Sequence, residues 1–150
     1  MFLVNAGFLV LFSAFLISAI DRIDRGLFFI VLSSIHVGVL LLVRGALAFG
    51  FTAVYLPLFS YAYVSKILLF SLFWTLANDL IDSRRAGREF PFIAAGGTLG
   101  AIGISFSIPW LLRMIDTPNL LLVWAGVVAA TILGFLPLYA SFGKLLKPAS

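Results

Sequence analysis

Lys66 places an ammonium in the middle of an apolar run, SYAYVSKILLFSLFW, and packing alone does not account for it. A charge at the centre of a spanning helix costs about 2.5–3.5 kcal/mol on insertion scales, so it faces a partner or an aqueous cavity. In the first case Lys66 pairs with a carboxylate of another helix. In the second it binds an anion, and a phosphate-bearing solute would suit it. Further along, Asp79, Asp82, Arg84, Arg85, Arg88 and Glu89 form a knot of six charged side chains within eleven residues. As a solvated loop, the knot would only anchor topology, since exposed ion pairs contribute about 0–1 kcal/mol each. As a cytoplasmic gate, its pairs would hold one helix bundle against another in one conformation and break in the other. The spacing permits this: Asp82 with Arg85, and Arg85 with Glu89, share a face if the segment is helical.

Other chemistries find no residues to carry them. The chain has no cysteine, which removes disulfides, thiolate metal sites and cysteine nucleophiles. His36 is the single histidine, so the chain holds no multi-histidine metal site. With Ser33 and Ser34 nearby, it is expected to hydrogen-bond between helices rather than to relay protons. GGTLG lacks the lysine and the preceding strand of a phosphate-binding loop, and no Asp-Gly-x-x-Ala-Arg phosphotransferase pattern is present. No enzymatic activity and no cofactor are expected.

The elements that must position these residues follow from composition. Of 150 residues, 63% are hydrophobic and 11% charged, and the mean hydropathy is +1.18. An average soluble domain is about 45–50% apolar and about 25% charged. The apolar runs are continuous, as in spanning helices, rather than alternating as in barrel strands. The expected fold is therefore all-α and integral to a membrane, one domain with spans at about 1–20, 27–43, 55–77, 90–113 and 120–142. The run from Gly45 to Leu80 could hold one span or two, and charge decides between them. With one span, Arg22, Arg25, Arg84, Arg85, Arg88, Lys144 and Lys147 share a side, which is seven of the ten basic residues. Five spans with the C-terminus in the cytoplasm satisfy the positive-inside rule, and Gly45 to Val54 becomes an outer loop or a helix extension. The net charge of +4 is explained by this topology without nucleic acid.

Within the fourth span, Gly96, Gly100, Gly103 and Ser107 recur at steps of three and four, next to Gly97; Gly126, Ala130 and Gly134 repeat the device in the fifth. Small residues at this spacing let helix backbones approach closely in lipid and would also let one helix rock against another. Pro57, Pro109 and Pro137 are placed to kink helices. Trp74, Trp110, Trp124 and the tyrosines at 55, 61 and 63 fall mostly toward span ends, as interfacial anchors do.

Phe73-Trp74, Ala77-Asn78-Asp79-Leu80, a short arginine-rich loop and Ala95-Gly96-Gly97-Thr98-Leu99-Gly100-Ala101-Ile102 together resemble a signature of the ATP:ADP antiporter family, nucleotide transporters related to the major facilitator superfamily. The likeness covers about 30 residues. It implies that the five spans correspond to helices two to six of an amino-terminal six-helix half, so that the chain is a fragment, and that DRIDRG occupies the second-to-third cytoplasmic loop. The facilitator motif of that loop opens with a glycine that is missing here. The expected function is transport of a small anionic solute, plausibly ATP/ADP exchange, by alternating access in a bacterial inner membrane, with Lys66 and Asn78 contacting the solute. The expected partners are lipid, the solute and a complementary helix bundle. The alternative is a membrane scaffold or accessory subunit whose glycine faces bind partner helices.

Overall fold

The computed structural model describes residues 24–142. Four long helices carry nearly all of them: α1 (Arg25–Ala48), α2 (Tyr55–Leu80), α3 (Ser83–Met114) and α4 (Leu120–Phe142). Single 3₁₀ turns at Thr52–Val54 and Thr117–Asn119 lead into α2 and α4, and there is no strand among the described residues. All four helices are long and apolar enough to cross a membrane. At about 1.5 Å per residue they run about 35–48 Å, against a hydrocarbon core about 30 Å thick. They take the places of the second to fifth expected spans. The first, residues 1–20, lies outside the described residues, as do Arg22, Lys144 and Lys147.

Local chemistry sets the boundaries. Asp24 caps α1, its Oδ1 accepting from the backbone N–H of Gly26 at 3.0 Å and of Leu27 at 3.1 Å, which satisfies two donors that the first turn cannot pair internally. The segment after Arg44 is a helix extension as far as Ala48, not a loop. It is closed by Gly50, whose φ of +83° is a conformation that side-chain-bearing residues rarely adopt. The charged knot is also not a loop. Asp82 caps α3 by accepting from Arg84 N–H at 3.0 Å, and the helix starts at Ser83, seven residues before the expected span. Asp116 and the Thr117–Asn119 turn separate α3 from α4, as the turn-forming residues there predict.

α1 is the hub. Its buried residues Gly26, Phe29, Ser33, His36 and Leu40 recur at steps of three and four, forming one stripe. α1 packs most extensively along α4 and next against α2. Phe29, Leu72 and Leu76 form the core, wrapped by Phe28, Leu32, Leu80, Phe135 and Tyr139. The Phe29 and Phe135 rings meet edge to face with centroids 5.0 Å apart. At the opposite end of the bundle Arg44 Nε donates to Asn119 Oδ1 at 2.9 Å, joining α1 to the turn before α4. Asn119→Ala is expected to lower resistance to unfolding in detergent by about 1 kcal/mol, the lower range for a hydrogen bond to a charged group at a partly exposed site.

α3 stands apart: it has no buried residue. Its link to the rest is the stack of Trp74 on Phe90, with ring centroids 5.8 Å apart, next to the short α2–α3 connection. The outer surface is apolar, with Leu42, Phe49 and Phe106 each at least 75% exposed. A surface of this kind is stable in lipid and prone to association in water.

Candidate functional site

Polar groups are sorted by depth along the helices. At one end, Arg25 Nη1 donates to Asp79 Oδ1 at 2.7 Å and to Oδ2 at 2.8 Å, tying the start of α1 to the end of α2. This is the one ion pair among the described residues. Beside it, Tyr139 Oη donates to Asp24 Oδ2 at 2.9 Å, so the carboxylate that caps α1 also holds the last turn of α4. Three helices are thus fastened at the same end by groups far apart in sequence.

Of the expected gate residues, Asp79 is paired, but with Arg25 of α1 rather than within the knot. Asp82 is occupied as a helix cap. Arg84, Arg85, Arg88 and Glu89 lie on the first two turns of α3, and although Arg85 and Glu89 are four apart on that helix, no ion pair forms between them. Water and lipid headgroups compete effectively for charges at such an exposed helix end, and holding two long side chains in one geometry costs entropy.

Lys66 lies near the middle of α2 and is exposed, beside the buried Ser65 and in the same side-chain row as Phe70 and Phe73. It forms no ion pair with any described residue. Asn78 is exposed, and its Nδ2 donates to Trp74 O of its own helix at 2.9 Å. The structure therefore does not bring Lys66 and Asn78 into one enclosed site. Gly96, Gly97, Gly100 and Gly103 line an open face of α3: a Cβ added at any of them would meet nothing within 4 Å, and the same holds for Gly126 and Gly134. None of these glycines mediates a close helix contact among the described residues.

His36 is where sequence reasoning was partly fulfilled. The ring is buried on α1, and its Nδ1 is 2.8 Å from Tyr61 Oη on α2, the interhelical hydrogen bond its type predicts. The Tyr61 ring stacks on it at 5.4 Å, and Trp124 of α4 meets it edge to face at 4.9 Å. Tyr61 and Trp124 are thus interior partners rather than interfacial anchors. Their signal was position: Tyr61 lies nearly two turns inside α2, beyond the headgroup level where an anchor would sit. The Arg25–Asp79 pair joins residues 54 apart, and no periodicity in the sequence marks such a pair.

Four apolar helices, charges gathered at their ends and isolated polar groups between them define a bundle of the membrane-embedded helical class. No family model matches the chain, nor does any curated protein or solved structure.

Proposed function

We propose that the protein is a transport bundle that moves a small anionic solute in concert with complementary helices, by rocking of one bundle against another. The observation that carries this reading is Lys66, an ammonium exposed near mid-depth on α2 with no anionic partner among the described residues. A cation at that depth requires a carboxylate, an anion or water beside it. The open glycine face of α3 supplies a surface on which helices could pack closely and slide. The likeness of the Phe73 to Ile102 segment to the ATP:ADP antiporters makes a nucleotide the first solute to test. The end that carries the Arg25–Asp79 pair and the α3 arginines faces the cytoplasm in this reading.

A scaffold or accessory subunit is the second reading, favoured by the same glycine faces. One experiment separates them. The protein is reconstituted in liposomes with and without co-expressed complementary helices, and uptake of labelled ATP or ADP is followed for the native chain and for Lys66→Ala. Transport predicts uptake only with the complement, reduced about tenfold by the substitution while assembly is unchanged, as loss of one charge-assisted contact implies. Loss of co-purification in Lys66→Ala, without any uptake by the native assembly, favours the scaffold.

A further inference from the structure

His36 is 2% exposed, and its Nε2 has no hydrogen-bond partner among the described residues. The orphan persists in either neutral form of the ring. If Tyr61 Oη donates to Nδ1, then Nε2 carries a hydrogen with no acceptor. If Nδ1–H donates to Tyr61 Oη, then Nε2 carries a lone pair with no donor. Leaving such a buried group unmet costs about 1–3 kcal/mol, so the site needs a ligand the protein itself does not supply.

The shape of the site narrows what that ligand is. His36, Tyr61 and Ser65 line a cleft of about 30 Å³ between α1 and α2, completed by Leu32, Ile35, Leu68 and Leu69. A water needs about 10–15 Å³ on this measure and two to four polar partners. Ser65 Oγ makes only a long bond of 3.3 Å to Ala62 O and can serve as one of them. No larger polar molecule fits. From these observations we infer that His36 is a proton-binding site within the bundle, with water in the cleft as the donor and acceptor for Nε2.

The protonated ring resolves the mismatch that both neutral forms leave. Nδ1–H then donates to Tyr61 Oη, and Nε2–H donates to water. The proton comes from bulk water along that path, adds to the imidazole lone pair, and breaks no other bond in the protein. The groups that face the ring are Tyr61 and Ser65 from α2 and Trp124 from α4, with Ser33 one turn before it on α1. No carboxylate or cation among the described residues pairs with it. Charge on the ring is stabilised instead by the aromatic rings, whose centroids at 5.4 Å and 4.9 Å lie within cation–π range. The inference stands independently of the transport reading, because proton binding at His36 requires no solute.

Because the chain has a single histidine, ¹⁵N-histidine labelling reports on this ring alone when the purification tag contains none. In solid-state NMR of the protein in liposomes, both ring nitrogens are expected to convert to the doubly protonated form as pH is lowered from 8.5 to 4.5, with a water cross-peak to Nε2. Tyr61→Phe removes the acceptor for Nδ1–H and is expected to move the midpoint down by about one pH unit, the equivalent of one modest hydrogen bond. A ring that keeps its neutral spectrum throughout that range overturns the proposal, whether or not water reaches it. An unchanged midpoint in Tyr61→Phe overturns the assignment of Tyr61 as the acceptor.

Discussion

Arg25→Ala and Asp79→Ala are each expected to destabilise the bundle by about 2 kcal/mol, and the exchange of the two residues, Arg25→Asp with Asp79→Arg, to recover most of that loss. The estimate follows from depth. The side chains are 31% and 22% exposed, between the surface pairs that contribute about 0–1 kcal/mol and the fully buried ones whose breakage costs about 3–5 kcal/mol. One guanidinium nitrogen contacts both carboxylate oxygens, so removing it leaves an ionised carboxylate half-buried between helices without a donor. The two single losses are not expected to add in the double alanine variant, because the second substitution removes the charge that the first stranded. Unfolding titrations in mixed detergent micelles provide the measurement. Additive losses would show that each residue acts through separate packing and that the ion pair contributes nothing of its own. The Tyr139–Asp24 hydrogen bond remains in every variant, so the ends of α1 and α4 stay joined while α1 and α2 separate.

How far the fold could be read in advance depends on the range of the interactions. α1, α2 and α4 were legible because a continuous apolar run has only one way to satisfy its backbone in lipid, and the turn at Asp116 to Asn119 has residues that favour no other structure. The knot was misjudged as a loop because charge density outweighed the capping signal of Asp82 directly before Ser83, where helix propensity takes over. His36 announced a hydrogen bond because a lone polar ring in an apolar stripe must find one. Its partner was hidden because a tyrosine in a span resembles an interfacial anchor until the neighbouring helix is seen. The Arg25–Asp79 pair was invisible for a simpler reason: several arginines lie near enough in sequence to be Asp79's partner, and only the packing of α1 on α2 selects one. The glycine periodicity of α3 was plain, yet what it packs against is a question about other helices, and no local signal answers it.

Replacing Gly96 and Gly100 is expected to have opposite effects on stability and on assembly, and that opposition is the sharpest test of what α3 does. Within the described chain no atom lies within 4 Å of a Cβ built at either position, so Gly96→Ala with Gly100→Ala clashes with nothing. Glycine costs about 0.8–1.0 kcal/mol relative to alanine inside a helix, and the double variant should therefore hold α3 more firmly, not less. If complementary helices seat on this face, the same two methyl groups push their backbones apart, and leucine at both positions excludes them. The expected result is unchanged or raised resistance to detergent unfolding, together with weakened association for the alanine pair and lost association for the leucine pair. Cross-linking in liposomes and size-exclusion mass measurement in detergent read the association directly. Unchanged association in the leucine pair would mean that lipid alone covers the face, and both the transport and the scaffold readings would lose the surface they depend on. Gly126→Ala with Gly134→Ala serves as a comparison on α4, whose glycines are equally open but whose helix is already packed along α1. If association falls only for the α3 pair, the complementary helices approach from the side on which α3 stands free, and the outward-facing Lys66 can then be tested for a place at that interface.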